Sequence, residues 1–192
     1  MSSISLEEFE NLRDSGLLIL DNRPTNDFAK SHIKNSINAS IHGSFEYMAS
    51  CFFNKKEKLV LVCNAANSAE SFLRLESEGY TNLHIFHYNL WNKEKLSLER
   101  VEAKNAKSYV KVMKDVSNIE DWELLHVKGV SGMPLKKLIT NYQMVSDGDV
   151  LYCGNGHKSM AAVSYLRTKN IFTNDIIGGL SAMLTDAPDL EI

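Results

Sequence analysis

The chain has 192 residues, a formal net charge of −3, 44% hydrophobic residues and 23% charged residues. These are ordinary values for a globular protein that can bury a core, so extensive disorder is not expected. The sequence has no dense block of Lys and Arg and no apolar run of the roughly 18 residues that cross a bilayer. Neither nucleic acid nor a membrane is therefore an expected partner, and the oligomeric state is left open.

The start of the chain and its cysteines bear on the compartment. The first residues bring acidic side chains and lack the basic, apolar and small-residue order of a secretory signal, which favours a cytoplasmic protein. Cys51, Cys63 and Cys153 are an odd and sparse set, which argues against a disulfide framework and for reduced thiols. The histidines and cysteines show no zinc-ligand spacing, so no metal site is expected.

The first half of the sequence alternates helix and strand signals. Residues 5–8 form a capping box that predicts a short helix, and the apolar run 17–20 predicts a buried parallel strand that ends at Asp21. Residues 26–31 are typical of one or two helical turns, and residues 36–39 predict a short strand.

A second apolar run in this half leads directly to a cysteine. Residues 58–62 predict a buried strand that ends at Cys63, and the apolar pattern around 72–75 predicts an amphipathic helix after it. Residues 83–86 predict a further strand. Strands that alternate with helices indicate a parallel sheet.

The second half repeats this order, and the repeat predicts two copies of one unit, at 1–100 and 101–192, joined by a linker within 92–107. The opening strand of the second copy is expected within residues 109–116. Its other predicted elements are a capping box at 117–120, a strand at 124–128 placed like 17–23, a strand at 150–152 that leads into Cys153, a helix through residues 161–166, and a segment 172–177 that mirrors 80–85.

Cys153 stands at the end of a predicted buried strand and before a predicted helix. Unpaired amides and the helix dipole make such a position electropositive, which favours the nucleophilic thiolate over the thiol. Gly154 and Gly156 allow a tight loop in which several N–H groups face inward, and His157 and Lys158 add positive charge. Residues 153–159 therefore carry the pieces of nucleophilic sulfur chemistry.

These residues resemble the rhodanese family, whose active loop has the pattern CxxGxR, commonly followed by Ser. Cys153, Gly156 and Ser159 match the pattern, while Lys158 stands where the arginine is expected. Residues 18–23 are similar to the strand of this family that ends in DVR, residues 28–38 to its "F…GHIPGAIN" stretch, and residues 177–180 to its double-glycine turn.

The resemblance implies two rhodanese-like α/β domains, each a small parallel sheet flanked by helices. It also implies a sulfurtransferase without cofactor or metal, in which Cys153 accepts sulfane sulfur as a persulfide. The donor would be a small molecule or a protein, and the acceptor a thiol or another thiophile. The substrate-binding loop implied is Gly154, Asn155, Gly156, His157, Lys158 and Ser159.

Each half departs from the family pattern in a different place. In the first, the loop after Cys63 is one residue shorter, lacks the glycine and has Asn67 in place of a cation, so we expect an inactive domain with a second or vestigial site. Asp21 and Arg23 are expected to form a structural pair there. In the second, residues 126–128 replace DVR, and the helix before Met133 is expected to be missing.

The sequence leaves several alternatives open. Lysine is a compact point charge and lacks the bidentate grip of arginine on an oxyanion, so Lys158 favours a persulfide donor over thiosulfate. Cys153 is otherwise a buried structural thiol, and the protein a binding or regulatory module. A phosphatase of the same fold is the third alternative, but Ser159 occupies the position of the arginine in its longer loop.

Overall fold

A computed structural model describes residues 3–192, and the chain divides into two compact units, Met1–Ser97 and Leu98–Ile192. The first two residues of the acidic N-terminal segment lie outside the described residues. Among the described residues, every helix is too short or too polar to cross a bilayer.

The first unit is built on a four-stranded parallel sheet in the order β2-β1-β3-β4. Its strands are β1 (Ile19–Asp21), β2 (Ser36–Asn38), β3 (Leu59–Cys63) and β4 (Leu83–His87). Every residue of β1, β2 and β3 is buried, and burial on both faces explains why β3 is a continuous apolar run rather than an alternating one. All four strands lie where the sequence predicts them, to within one or two residues.

The helices of the first unit are α1 (Leu6–Asp14), α2 (Thr25–Lys30), α3 (Phe45–Phe52) and α4 (Ser68–Ser77). The predicted start of α1 is confirmed, since the Ser5 hydroxyl accepts a hydrogen bond from the Glu8 N–H at 3.2 Å. Phe9 on α1 stacks on Phe86 of β4, with ring centroids 3.9 Å apart, and so fixes the helix against the sheet.

The second unit has a three-stranded parallel sheet in the order β5-β6-β7. Its strands are β5 (Met113–Asp115), β6 (Val150–Tyr152) and β7 (Asn174–Asp175). Its helices are α5 (Ile119–Leu124), α6 (Leu135–Thr140), α7 (His157–Thr168) and α8 (Gly179–Asp186), preceded by a 3-10 helix (Ala103–Val112). Single parallel bridges, Asp115 to Gly132 and Val101 to Ile176, extend the pairing at both edges. The predicted fold class, parallel sheets flanked by helices, is confirmed.

The strand predicted at residues 124–128 is wrong. Helix α5 ends at Leu124, and the chain continues as turns without strand pairing. Leu124 is 85% exposed, so the apolar run that indicated a buried strand is not buried at its start. The strand equivalent to β1 is β5, so Asp115 corresponds to Asp21.

Two related expectations are also wrong. The helix thought to be missing before Met133 is present as α5, and its N-cap is Asn118 rather than a Ser117 capping box, since the Ser117 N–H donates to Asp115 Oδ1 at 2.8 Å. The opening strand predicted at 109–116 is reduced to β5, because residues up to Val112 belong to the 3-10 helix.

Candidate functional site

The loop of residues 153–159 joins the carboxyl end of β6 to the amino end of α7. Cys153 follows the strand directly, and α7 begins at His157. Gly156 is the N-cap residue and has a φ of +85°, a left-handed conformation that other residues adopt at a cost. The first N–H groups of α7 face the loop without intrahelical acceptors, which makes this end of the helix electropositive.

The Cys153 side chain lies at the base of this loop. The residue is 1% exposed, and its thiol donates to Ser159 Oγ with Sγ and Oγ 3.7 Å apart. The predicted ring of amides around the sulfur is not formed by direct contact, because no N–H of residues 3–192 donates to Sγ. The N–H groups of Asn155, Gly156 and Ser159 likewise have no acceptor among residues 3–192. The amides of the loop can therefore bind an anion placed beyond the sulfur.

The turn of Gly178 and Gly179, at the start of α8, packs against the loop of residues 153–159. The Leu180 N–H donates to the Cys153 carbonyl at 2.8 Å, and the Ser181 N–H donates to the Gly154 carbonyl at 2.9 Å. Gly179 has a φ of +61°, and a Cβ there would lie 2.1 Å from the Cys153 carbonyl oxygen. Glycine at this position is what allows the loop and α8 to meet.

The two basic residues of the loop differ in their surroundings. The Lys158 side chain is 15% exposed, and its ammonium lies 3.5 Å from Asp121 Oδ2 on α5. The His157 N–H donates to Asn155 Oδ1 at 3.4 Å, an Asx-type contact that shapes the turn. The cation that stands at the family's arginine position is thus oriented by an acidic partner on α5.

A buried ion pair supports the loop from β7. Arg100 donates to Asp175 through Nε at 2.7 Å and through Nη2 at 2.6 Å, and Asp175 is fully buried. Burial raises the pKa of Asp175, while the Arg100 guanidinium and a hydrogen bond from the Ser159 hydroxyl oppose that rise. The ion pair therefore joins the segment before the 3-10 helix to β7.

The loop after Cys63 in the first unit is closed, in the sense that its backbone N–H groups bond within the loop. The loop after Cys153 is open, because N–H groups there remain available. Residues Ala65–Asn67 form a 3-10 turn, in which the Asn67 N–H donates to the Asn64 carbonyl at 3.1 Å. Burial, and secondarily the charge of Asp21, raises the pKa of Cys63 to about 12. The thiolate that nucleophilic chemistry needs is disfavoured at this cysteine.

Asp21 and Arg23 form a buried pair at the end of β1. The Arg23 guanidinium donates to Asp21 Oδ2 at 2.7 Å through Nη2 and to the Ser31 carbonyl at 2.9 Å. It also lies 3.3 Å from the centre of the Tyr88 ring. These contacts join β1 to the end of α2 and to the segment after β4.

At the end of β5 the second unit has an aspartate without the arginine that follows Asp21 in the first unit. Asp115 is buried and accepts from the Ser117 N–H, while Ser117 stands where Arg23 stands in the first unit. The Tyr152 hydroxyl accepts from the Val127 N–H at 3.0 Å, and burial together with Asp115 raises the pKa of this phenol. The end of β5 is thus held by a backbone hydrogen bond to Asp115 where the end of β1 is held by a guanidinium.

Sequence reasoning missed four charged residues of the second unit that make the contacts described above: Arg100, Asp115, Asp121 and Asp175. The signal for Asp115 was available, because Asp115-Val116-Ser117 lies at the end of the correct strand and is closer to DVR than residues 126–128. The other three act through contacts between distant segments, which no local pattern indicates.

Comparison with known proteins gives a family for the first unit. The rhodanese-like domain family matches residues 5–93. No curated protein matches the chain. The solved structures it is similar to include a thiosulfate sulfurtransferase from Pseudomonas aeruginosa, at 14% identity and a TM-score of 0.44, over 95% of this chain and 44% of that one.

Two further similar structures cover about half of the chain. The reduced CoADR-RHD of Bacillus anthracis is 19% identical with a TM-score of 0.45, over 50% of this chain and 18% of that one. A rhodanese-related protein from Thermoplasma volcanium is 19% identical with a TM-score of 0.38, over 45% and 90%. The chain spans less than half the length of the Pseudomonas and Bacillus proteins. It contains one rhodanese-like domain, at residues 5–93.

Proposed function

We propose that the chain carries two rhodanese-like domains in tandem, the second formed by Leu98–Ile192. Strand pairing supports this, since β1 pairs Asp21 with Val62 and β5 pairs Asp115 with Tyr152, and in each unit a cysteine directly follows the second residue of the pair. The surrounding backbone bonds also repeat: the Ala39 N–H donates to the Asp21 carbonyl at 2.9 Å, and its counterpart at Met133 donates to the Asp115 carbonyl at 2.7 Å.

A side-chain arrangement after β1 and β5 repeats as well. The His32 ring stacks on Phe28 with centroids 4.4 Å apart, and its Nδ1 contacts the Phe28 carbonyl at 3.1 Å. The His126 ring stacks on Trp122 at 4.3 Å, with Nδ1 at 2.7 Å from the Trp122 carbonyl. An aromatic residue followed four positions later by a histidine thus closes the helix after the first strand in both units.

We propose further that the second domain is a sulfurtransferase with Cys153 as the nucleophile. The observation that carries this proposal is the loop of residues 153–159, where a cysteine at a strand end precedes a helix N-terminus whose nearest N–H groups are not taken up by the protein. A negatively charged outer sulfur on Cys153 would accept hydrogen bonds from these amides.

The reaction consists of two displacements. The Cys153 thiolate attacks the outer sulfur of the donor; a new S–S bond forms at Sγ while the bond within the donor breaks, and the donor leaves as an anion. The acceptor thiolate then attacks the outer sulfur, and Sγ leaves as a thiolate. Because Cys153 is 1% exposed, entry of the donor requires residues 154–158 to move, and Gly154 has open space where a Cβ would be.

The surroundings of Lys158 favour a persulfide donor over thiosulfate. Its ammonium faces the carboxylate of Asp121, so a donor with a sulfonate group would compete with that carboxylate for one point charge. A persulfide needs less recognition of oxygen anions. Steady-state rates measured with both donors check this, and a strong preference for thiosulfate would show it to be wrong.

The direct test is the mass of the protein after treatment with a persulfide or thiosulfate donor. We expect a gain of one sulfur atom on the peptide that contains Cys153, its removal by a thiol or cyanide, and no gain there in Cys153→Ser. Cys63→Ser is the matched control and should load like the parent protein. Failure of Cys153 to gain sulfur with either donor would refute the enzymatic proposal.

A second candidate is a binding module without catalysis, and the burial of Cys153 is the observation that favours it. In that case Cys153→Ser would leave the biological activity intact. A phosphatase is less well supported, because the buried Ser159 at the expected arginine position offers no cation to a phosphoryl group. Turnover of an aryl phosphate that depends on Cys153 would reverse this ranking.

A further inference from the structure

We propose that the exposed face of α5 is a docking surface for the protein that delivers the sulfur, and that this surface selects a donor whose persulfide cysteine is flanked by basic and apolar residues. The inference rests on the proposed function of Cys153 and names the partner of that site. It concerns helix α5, Ile119–Leu124, and the residue that follows it.

Helix α5 presents large apolar side chains to solvent. Leu124 is 85% exposed, Leu125 is 43% exposed and Ile119 is 41% exposed. A single exposed apolar residue is ordinary, but three within one short segment rimmed by charges are typical of a surface that a partner covers. The helix is fixed to its unit by Trp122, whose Nε1 donates to the Val130 carbonyl at 3.1 Å, so this face is held outward by the fold.

The same helix is acidic. It carries Glu120, Asp121 and Glu123 and has no basic residue. In the part of the chain that the structure describes, Glu120 and Glu123 take part in no ion pair, whereas Asp121 Oδ2 lies 3.5 Å from Lys158 Nζ and so places the helix beside the candidate loop. Leu124 shares a helix face with Glu120 and Asp121, because residues three and four positions apart are neighbours on a helix. A partner that covers this face therefore meets negative charge beside an apolar anchor, which favours basic side chains.

The matching helix of the first unit presents a different surface. The stacked pair of an aromatic residue and a histidine sets the register between α2 and α5. In this register the polar residues Thr25 and Lys30 correspond to Ile119 and Leu124, and the apolar residues of α2 are buried. Exposed apolar side chains therefore accompany the loop with the candidate nucleophile and do not accompany the closed loop.

The burial of the nucleophile gives a docking surface its task. Cys153 is 1% exposed, so a donor must stay at the loop while residues 154–158 move. The acidic face repels a small persulfide that carries carboxylates of its own, whereas a protein with basic residues is attracted and presents its cysteine at the same time. Attack by the Cys153 thiolate on the outer sulfur breaks the S–S bond of the donor and releases its cysteine as a thiolate, so the step needs no oxidant or reductant.

The test uses two synthetic peptides that have the same apolar residues around one cysteine persulfide and differ only in flanking lysines or flanking glutamates. At low salt we expect the lysine peptide to load sulfur on Cys153 about tenfold faster than the glutamate peptide, and the difference to shrink as salt screens the charges. Loading is measured as the gain in mass of the protein with time. A capped cysteine amide persulfide, which is charged only at its outer sulfur, gives the rate without docking.

A charge swap on α5 is the discriminating variant. Glu120→Lys/Glu123→Lys leaves the Asp121 carboxylate in place and should invert the preference, so that the glutamate peptide loads faster. The matched control Asp186→Lys/Asp189→Lys makes the same change in charge at exposed positions at and after the end of α8, whose start packs against the loop, and should keep the parent preference. The rate with the capped amide should stay within about twofold in both variants. A preference that the swap leaves unchanged would overturn the proposal.

Leu124→Ser tests the apolar part of the surface. Because this side chain is 85% exposed, its removal does not disturb the core, and it should weaken binding of the lysine peptide about tenfold. Binding is measured by titration calorimetry with serine in place of the peptide cysteine, so this readout needs no sulfur transfer. Equal affinity for the two peptides, or tighter binding of the glutamate peptide, would refute the docking surface, and self-association that Leu124→Ser abolishes would assign the face to a second copy of the chain instead. Charge-dependent binding without any sulfur loading would refute only the proposed function.

Discussion

The two cysteine loops stand at equivalent strand positions and differ in the backbone that comes after the cysteine. After Cys63 the chain turns at once into a 3-10 helix whose amides bond within the loop, and the thiol is held in its neutral form. After Cys153 two glycines delay the helix by three residues, and the amides between strand and helix stay available. A cysteine at the end of a strand is therefore a packing residue in one unit and a candidate nucleophile in the other, and the loop that follows differs accordingly.

The supports of the two loops differ in the opposite sense. The first unit has the complete pair of Asp21 and Arg23, whereas the second has Asp115 without an arginine. The second unit instead has the pair of Arg100 and Asp175, whose carboxylate is on β7, across the central strand β6 from Asp115. The unit with the closed loop thus has the complete pair of Asp21 and Arg23 at the end of β1. The unit with the open loop has the buried pair of Arg100 and Asp175 instead.

The sharpest way to break this comparison is to remove each cysteine in turn. Cys153→Ser should lower the sulfur-transfer rate by roughly 10³-fold or more, because it removes the nucleophile itself. Cys63→Ser should stay within about twofold of the parent rate, since its thiol does not enter the reaction. Steady-state transfer from a persulfide to cyanide measures both, and a larger loss at Cys63 would reverse the assignment of the two loops.

Removal of Arg23 tests how much the buried pair at the end of β1 contributes to stability. Arg23→Ala leaves Asp21 as a buried carboxylate without a partner, and we expect the free energy of unfolding of this unit to fall by about 3–5 kcal/mol. Ser117→Ala, at the equivalent position of the second unit, should change it by less than about 1 kcal/mol, because the bond to Asp115 comes from the backbone. Urea titration measures both, and a small effect of Arg23→Ala would mean that water replaces the guanidinium.

The turn beneath the second loop provides a third test. Gly179→Ala places a Cβ 2.1 Å from the Cys153 carbonyl oxygen at a φ of +61°, so the loop must shift. We expect a loss of about 2–3 kcal/mol in stability, with sulfur loading reduced as well. Asn89→Ala, at the matching position after β4, is exposed and should be close to neutral. Wild-type loading in a folded Gly179→Ala protein would show that the loop geometry does not matter.

The smallest expected effect concerns alkaline pH. Because the pKa of Cys63 is raised to about 12 in the folded protein from 9.0, unfolded chains ionise first, and the stability this thiol contributes is lost between those values. From pH 9 to 11 we expect the parent protein to lose about 1–2 kcal/mol more than Cys63→Ser. Tyr80, whose pKa is raised to about 12 by burial, titrates in both proteins and cancels in the difference. Parallel curves would mean that Cys63 is accessible to water.

The predictable part of the fold consists of strands with a continuous apolar run and a cysteine or aspartate at their end. Residues 150–152 are predicted correctly because burial on both faces of a parallel sheet leaves no alternation to misread. Residues 124–128 are not, because a short apolar run is ambiguous between helix and strand, and Leu124 lies on an exposed surface. The order of elements in the two halves survives this error, since it depends on several runs at once.

The candidate loop is predictable and its surroundings are not. Residues 153–159 carry a local pattern of cysteine, glycine and helix start that sequence alone displays. Arg100 and Asp175 meet across 75 positions of sequence, and Asp121 reaches Lys158 from helix α5, of which the sequence indicates only a capping box at 117–120. Such contacts are fixed by strand register and packing, and a single sequence contains no record of them.

Gly179 packs so closely against residues 153–156 that substitutions in these two segments must depend on each other during evolution. With a Cβ position already filled by the backbone of residues 153–156, a larger residue there can become fixed only after the cysteine loop has been rebuilt. Lineages that lose one glycine should therefore be found to have altered the loop as well. Covariation between the two segments among close relatives would be the evolutionary trace of a contact measured in a single molecule.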